Sequence, residues 1–346
     1  MKGAPKINVL GKEEKPNGDS ITIVCGADDN FSMPLVVALF SALTNLRPGI
    51  VPNIYIIDGG IREKNKLRIE KSFQNTNRDF HLYWVPFDLN KLPSIKETKI
   101  ISKAAYLRVL IPDLLPASVS KAIYLDCDMI VEADLQALWD MPFASESAMG
   151  VQDYCFPFLS SPAAIGNFNE LNLADDTPYC NSGLLVINVD YWRKHAFSSK
   201  ILAYLQSNSE RLKHFDQDGI NVVIAGNWRL LDPRWNVSLS SVLNFGEGTE
   251  RTIEEVNYYQ GEFKANPYII HFTSRYKPWH LGLNNKDALV TFYYQQPYRD
   301  RFFHYLRKSQ WFRGIYFFSW ITYRRIVLFS QYKLPRRIKI QLGQSH

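Results

Sequence analysis

Residues 122–131 read Ala122-Ile123-Tyr124-Leu125-Asp126-Cys127-Asp128-Met129-Ile130-Val131. This apolar run, rich in β-branched and aromatic residues, predicts a buried strand. If the strand continues through the two acids, its alternation points both carboxylates to the same side. Two carboxylates held that close raise each other's pKa unless a cation neutralises them. Oxygen ligands suit a hard divalent ion such as Mg²⁺ or Mn²⁺, although acids that cap a turn also fit the motif.

The composition is that of an ordinary globular protein. The chain has 346 residues, of which 21% are charged and 46% hydrophobic, enough for one large α/β domain or two smaller ones. The four cysteines show no metal-ligand spacing, so we expect free thiols and a cytoplasmic protein. Residues 1–20 are polar and lack the apolar core of a signal peptide, and we expect them to form a mobile leader.

Strands and helices alternate along the chain. Strands are predicted at Ile21–Cys25, Ile54–Ile57, His81–Val85, Gly183–Val189 and Tyr268–Phe272, and helices at Pro34–Leu46, Glu63–Phe73, Ser102–Leu110 and Asp216–Ala225. We expect Pro112 to break the third of these helices. The order predicts an α/β fold whose mostly parallel, Rossmann-like sheet is flanked by helices. The glycine pattern of a dinucleotide-binding loop is absent after the first strand.

The C-terminal segment 299–346 carries the positive charge of the chain. It holds eleven Lys and Arg residues against one acid, Asp300, whereas the preceding residues carry a net charge of −4. Twelve aromatic residues are interleaved with these bases, and no uncharged stretch is long enough to span a bilayer. Such a helical tail suits the surface of an anionic membrane. An alternative is that the tail forms a helical cap packed on the main domain. A third interpretation is that it binds nucleic acid, but no motif supports this.

Six short motifs follow one another in a specific order. They are Gly26-Ala27-Asp28-Asp29-Asn30, Tyr106-Leu107-Arg108, Asp126-Cys127-Asp128, Asn181-Ser182-Gly183, Asp216-Gln217-Asp218, and His271 with Lys277-Pro278-Trp279. Together they resemble glycosyltransferase family 8 over about Ile21 to His280, with the closest likeness to bacterial lipopolysaccharide α-galactosyl- and α-glucosyltransferases and a more distant one to glycogenin. The resemblance implies a GT-A catalytic domain over residues 21–298. It also implies transfer of a hexose from UDP-galactose or UDP-glucose with retention of configuration.

The resemblance assigns a role to each motif. Asp126, Asp128 and His271 would bind the metal, and this mixed nitrogen and oxygen set favours Mn²⁺ without excluding Mg²⁺. Lys277 would act as a point charge on the diphosphate. The other implied contacts are those of Ala27, Asp28, Asn30 and Phe31 with uridine, those of Arg108, Cys127, Asp153 and Asn181 with the rest of the donor or the acceptor, and those of Asp216 and Gln217 beneath the sugar ring.

One position departs from the family pattern. Ser274 stands where relatives have a glycine three residues after the metal histidine, which puts the fine geometry of the phosphate loop in question. Several site residues also have an ordinary structural interpretation, such as helix capping by Asp29, Asn30 or Asp216.

The implied mechanism follows from the residue beneath the sugar ring. Because the amide of Gln217 is a poor nucleophile, we expect same-face substitution rather than a covalent glycosyl intermediate. The acceptor would be a glycan or a lipid-linked saccharide at the inner face of the cell membrane. Two alternatives are a non-catalytic nucleotide-sugar or glycan-binding protein, and a phosphatase or phosphotransferase with Asp126 as nucleophile.

Overall fold

The computed structural model describes residues 7–10, 20–93, 103–238, 265–273, 277–279 and 298–312, with a few isolated positions between 251 and 261. The strands are β1 (Ile7–Leu10), β2 (Thr22–Ala27), β3 (Asn53–Asp58), β4 (Phe80–Pro86), β5 (Lys121–Leu125), β6 (Met129–Val131), β7 (Ala148–Gln152), β8 (Cys180–Asn188), β9 (Trp228–Leu230), β10 (Val237–Ser238) and β11 (Ile269–His271). The helices are α1 (Ser32–Asn45), α2 (Glu63–Gln74), α3 (Ile111–Leu114), α4 (Gln136–Trp139), α5 (Val189–Lys194), α6 (Phe197–Ser207), α7 (Asp216–Ile224) and α8 (Tyr298–Lys308).

Two sheets organise the described part of the chain. The larger has eight strands in the order β1-β4-β3-β2-β5-β8-β7-β9, and the smaller has three in the order β10-β11-β6. In the larger sheet only β8 runs antiparallel to its neighbours, β5 and β7. The predicted mostly parallel α/β sheet is therefore confirmed, and, apart from the run 122–131, the predicted strands lie within three residues of their expected ends.

The central strands are buried on both faces, as expected for parallel strands that helices cover. In β2, Ile23 and Cys25 pack into the hydrophobic cluster that contains Leu39 of α1. Val24 points to the opposite face, into the cluster that contains Trp192 of α5. This alternation places the carboxyl ends of the parallel strands at one edge, where ligands bind in open α/β sheets.

Two local predictions need correction. The run 122–131 is not one strand: β5 ends at Leu125, and β6 begins at Met129 in the smaller sheet. Asp126 and Asp128 therefore lie in a turn between two sheets, because β6 pairs with the distant strand β11. Pro112 does not break the third predicted helix, since a 3₁₀ helix (Lys103–Leu110) runs directly into α3. Pro112 lies in the first turn of α3, where a missing N–H is tolerated.

A segment near each end of the chain joins the main domain. In the expected leader 1–20, residues 7–10 form an edge strand that pairs in parallel with β4. From the expected tail, α8 packs Phe302 and Leu306 into the cluster around α1. Tyr305 Oη accepts a 2.8 Å hydrogen bond from Asn45. Residues 298–312 therefore pack on the main domain. Residues 313–346 lie outside the described residues, so the interpretation of the tail as a whole stays a prediction. None of the helices that the structure describes combines the length and the apolar character that a bilayer span requires.

We predict that α8 unfolds together with the main domain. Phe302 is fully buried and contacts Phe272 edge-on at 5.8 Å between ring centroids. Removal of its ring by Phe302→Ala should lower the free energy of unfolding by about 3–5 kcal/mol, measured by urea denaturation. The half-buried neighbour Phe303 is the matched control, and Phe303→Ala should cost less. A loss below about 1 kcal/mol for Phe302→Ala would show that the helix is not part of the core.

Candidate active site

The three predicted metal ligands meet where the two sheets join. The pairing of β11 with β6 sets His271 opposite Met129, directly after the turn that carries both acids. One ligand atom from each of Asp126, Asp128 and His271 lies within 4.8 Å of the other two. His271 Nε2 lies 3.2 Å from Asp128 Oδ1 and 3.7 Å from Asp126 Oδ2. The tertiary fold thus joins three residues into one cluster.

The space around this cluster fits a divalent cation. A Cβ atom built on Gly183 would lie 2.3 Å from Cε1 of His271 and 2.9 Å from Oδ2 of Asp126. Only glycine at this position leaves room for the imidazole beside the carboxylate. Two carboxylates and one imidazole form a donor set that suits Mn²⁺ and also accepts Mg²⁺.

Two cations compensate the charge of the acids. Lys277 Nζ lies 2.5 Å from Asp128 Oδ2, and Arg108 Nη2 lies 2.9 Å from Asp126 Oδ1. Burial by itself raises the pKa of Asp128, but the ammonium group of Lys277 outweighs this effect and holds that pKa well below its usual range. Asp128 is therefore ionised at neutral pH and chemically available as a ligand.

Arg108 also connects the acid pair to the start of α7. Burial lowers the pKa of the Arg108 guanidinium, but the charges of Asp126 and Asp216 raise it by more than burial lowers it. The guanidinium therefore stays charged. Arg108 Nε lies 2.9 Å from Asp216 Oδ2 without the alignment of a hydrogen bond. Burial raises the pKa of Asp216 to about 6, with Arg108 opposing this rise and Asp126 adding to it. Among the described residues Asp216 Oδ2 accepts no hydrogen bond, which leaves it free to accept one from a ligand.

The residue before α7 has a strained backbone. Phe215 adopts a φ of 58°, a conformation that costs a bulky residue about 1–3 kcal/mol and is typical of functional sites. Asp218 stabilises this turn: its buried carboxylate accepts from Tyr179 Oη and from the backbone of Lys213 and His214. The strained turn sets the direction in which α7 begins.

A separate hydrogen-bond network holds Asp153, Asn181 and Gln217 together. Asn181 donates to Asp153 Oδ2 at 2.8 Å, and Gln217 donates to the same oxygen at 3.5 Å. Gln217 Oε1 accepts from the backbone N–H of Ser182 at 3.0 Å. Both ends of the Gln217 amide are therefore bonded, which fixes its orientation.

One cavity of about 510 Å³ collects these residues. Every predicted site residue lines it except Asp28 and Asn30. Asp28, rather than Asp29 or Asn30, caps the following 3₁₀ turn, because its Oδ1 accepts from the backbone N–H of Asn30 at 2.9 Å. Asp29 instead pairs with Arg62. The uridine contacts of Asp28 and Asn30 stay predictions.

Two further residues that line the cavity have clear partners. The Cys127 thiol donates to the Gly26 carbonyl at 3.2 Å, and burial raises its pKa, so it stays protonated. The Phe31 ring lies edge-on to Trp279 at 6.3 Å between centroids. Cys127 therefore contributes shape rather than charge to the wall of the cavity.

Sequence reasoning missed several residues at this site. Tyr124 donates to Asp126 Oδ1 at 2.6 Å, and Asn236 contacts His271 Nδ1 at 3.0 Å. Phe156 and His214 line the cavity with their rings 4.4 Å apart. Tyr124 could have been identified, since strand alternation places it on the side of Asp126. No spacing or composition in the chain pointed to the other three.

We predict that Gly183→Ala weakens divalent-metal binding by about tenfold or more, because the new methyl group displaces His271. Isothermal titration with Mn²⁺ measures the effect. Gly150 of the adjacent strand is the matched control: its Cβ would lie 2.5 Å from Cys180 Sγ, away from the acids. Gly150→Ala should lower the melting temperature and leave Mn²⁺ affinity unchanged. Equal affinity in wild type and Gly183→Ala would refute the site.

Comparisons with known proteins agree with this geometry. The sequence model described as glycosyl transferase family 8 matches residues 22–281. General stress protein A of Bacillus subtilis is 32% identical over 292 residues, which are 84% of this chain and 94% of that protein. The lipopolysaccharide 1,3-galactosyltransferase of Salmonella typhimurium is 24% identical over 76% of this chain and 74% of its own length.

Solved structures extend the likeness to the fold. The galactosyltransferase LgtC, in complex with donor and acceptor sugar analogues, has a TM-score of 0.66 at 20% identity and covers 83% of this chain and 95% of its own. This similarity supports the GT-A fold that the motifs imply. With the family model matching about three quarters of the sequence, the chain belongs to glycosyltransferase family 8.

Proposed function

We propose that this protein transfers galactose or glucose from a UDP-sugar to a hydroxyl of a glycan or lipid-linked saccharide, with retention of anomeric configuration. The observation that carries the proposal is the cluster of Asp126, Asp128 and His271 inside a cavity that two cations flank. Mn²⁺ is the proposed ion, and Mg²⁺ is the second choice. When bound, the ion supplies positive charge for the diphosphate leaving group.

The cations of this chain have distinct tasks in the proposed reaction. Lys277 is a flexible point charge at the edge of the acid cluster, and we assign it to the departing phosphate. Arg108 is fixed by Asp126, by the Ser182 carbonyl and by Asp216. We assign it to the orientation of the donor, since a fixed guanidinium presents its hydrogen-bond donors in one geometry.

The residues on the other side of the cavity face the donor sugar. The open acceptor of Asp216 Oδ2 suits a sugar hydroxyl. Asp153 and the backbone of Ser182 hold Gln217, whose amide is a poor nucleophile. This arrangement supports same-face substitution, in which the departing phosphate accepts the proton of the attacking hydroxyl. A mass-spectrometric glycosyl adduct on Asp216 or Asp153 would contradict that choice.

The two alternative functions find less support. A phosphotransferase with an aspartate nucleophile usually carries its acid pair after the first strand of the sheet, whereas here the pair follows β5. A non-catalytic binding protein needs no charge compensation at the leaving group, whereas Lys277 is in place here. Catalysis therefore remains the proposal that accounts for the most contacts.

We also propose that residues 313–346 hold the protein at an anionic membrane surface on the cytoplasmic side. This segment contains seven Lys and Arg residues, seven aromatic residues and no Asp or Glu. Each base near such a surface contributes about 1 kcal/mol, so seven bases suffice for stable association. A lipid-linked acceptor would be concentrated at the same surface.

For the enzyme activity, we predict metal-dependent UDP release from one of UDP-galactose, UDP-glucose and UDP-N-acetylglucosamine. Asp128→Asn should lower the rate by about 10²-fold or more, and EDTA should do the same to the wild type. Asp134, which pairs with Arg47 at the surface, provides the matched control. Asp134→Asn should stay within about twofold of wild type. The alternative of a non-catalytic binding protein would be favoured by a different result. In that case UDP binds in the presence of Mn²⁺, but no UDP is released from any donor, and no sugar is transferred in a screen of glycan acceptors.

For the membrane, we predict that truncation after Phe312 abolishes sedimentation with vesicles containing phosphatidylserine. The cut leaves α8 in its buried position, so UDP-sugar hydrolysis should be unchanged. Binding of the full chain should weaken with added salt, because charge drives it. Unchanged vesicle binding by the truncated protein would refute the role of the tail.

A further inference from the structure

The structure assigns to Asn236 a role that no sequence motif suggests: it fixes which ring nitrogen of His271 carries the proton. We propose that Asn236 is a positioning residue at the end of a directional hydrogen-bond chain, which runs from Asp153 through Asn181 and Asn236 to His271. The inference rests on the metal site of the proposed function. It concerns the state of the imidazole before any ion binds.

The direction of the chain is set at Asp153. The carboxylate accepts from the backbone N–H groups of Cys155 and Phe156 at 2.9 and 3.2 Å through Oδ1. Its other oxygen accepts from Asn181 Nδ2 at 2.8 Å. Since an ionised carboxylate only accepts, Asn181 must present its NH₂ group there. The backbone N–H of Gly183 confirms this orientation, because it donates to Asn181 Oδ1 at 3.2 Å.

The same reasoning fixes the next two members. Asn181 Oδ1 accepts from Asn236 Nδ2 at 2.9 Å, so the carbonyl oxygen of Asn236 points the other way. That oxygen lies 3.0 Å from His271 Nδ1. An amide oxygen cannot donate, so Nδ1 carries the proton and donates it to Asn236. The neutral ring then has its lone pair on Nε2, which faces Asp126 and Asp128. This is the tautomer that a metal ligand needs.

Burial and backbone pairing hold this hydrogen-bond chain in one arrangement. Asn181, Asn236 and His271 are each less than a tenth exposed, so bulk water competes poorly for these hydrogen bonds. Asn236 ends a 3₁₀ turn directly before β10, and β10 pairs with β11, which carries His271. The two side chains therefore hold their spacing through one small sheet. Through Asn236, residues that we assign to the donor sugar also orient a metal ligand.

Two substitutions at this position separate the role from general stability. Asn236→Ala removes both hydrogen bonds, and Mn²⁺ affinity should fall by about 10- to 100-fold. Asn236→Asp keeps an acceptor for His271 Nδ1 but sets its second oxygen against Asn181 Oδ1, so its Mn²⁺ affinity should lie between those of Asn236→Ala and wild type. The matched control is Asn188→Ala, which removes a helix cap on Tyr191 far along β8. It should lower the melting temperature without changing Mn²⁺ affinity.

The metal-free protein gives a second, independent readout. Nitrogen-15 NMR of labelled histidine, at a pH where the ring is neutral, reports its tautomer, and His271→Gln identifies the signal. We expect the proton on Nδ1 in wild type and in Asn236→Asp, and a mixture of tautomers in Asn236→Ala. A wild-type ring with its proton on Nε2, or wild-type Mn²⁺ affinity in Asn236→Ala, would overturn the proposal. If wild type shows the Nδ1 proton but binds no Mn²⁺, the hydrogen-bond chain stands and the metal-dependent activity fails.

Discussion

The charge balance around two neighbouring carboxylates is the constraint on which the rest of the site depends. Asp126 and Asp128 lie in one short turn and would repel each other in a buried cavity without nearby cations. Arg108 and Lys277 each pair with one of them, and His271 approaches both. The cluster is thus preorganised for a divalent ion, whose charge it can accept without rebuilding the fold.

The architecture explains how this charge cluster forms. The larger sheet delivers the acids at the carboxyl end of β5, and the smaller sheet brings His271 to them through the pairing of β11 with β6. Gly183 on β8 then leaves the space that the imidazole occupies. Asn236, beside β10, holds the ring from its other side. The smaller sheet therefore positions His271 next to Asp126 and Asp128.

Hydrophobic patterns predicted the fold well where contacts are local. Buried runs such as Ile54–Ile57 located the central strands, but short edge strands such as Trp228–Leu230 carry too little pattern to be recognised. The predicted end of the strand over 122–131 was wrong because β6 pairs with β11, a strand far along the sequence, and no local pattern reveals such a pairing. At the site, family motifs located most cavity residues. They missed Asn236 and His214, since a side chain's partners depend on tertiary contacts.

The central claim is that Asp126, Asp128 and His271 form a metal centre beside the donor site. Anomalous X-ray diffraction at the manganese edge, from crystals grown with Mn²⁺ and UDP, tests it most directly. The account predicts one strong peak bonded to both carboxylates and to Nε2 of His271, with the diphosphate next to it. A peak elsewhere in the cavity, or UDP bound with no peak at these residues, would contradict the account.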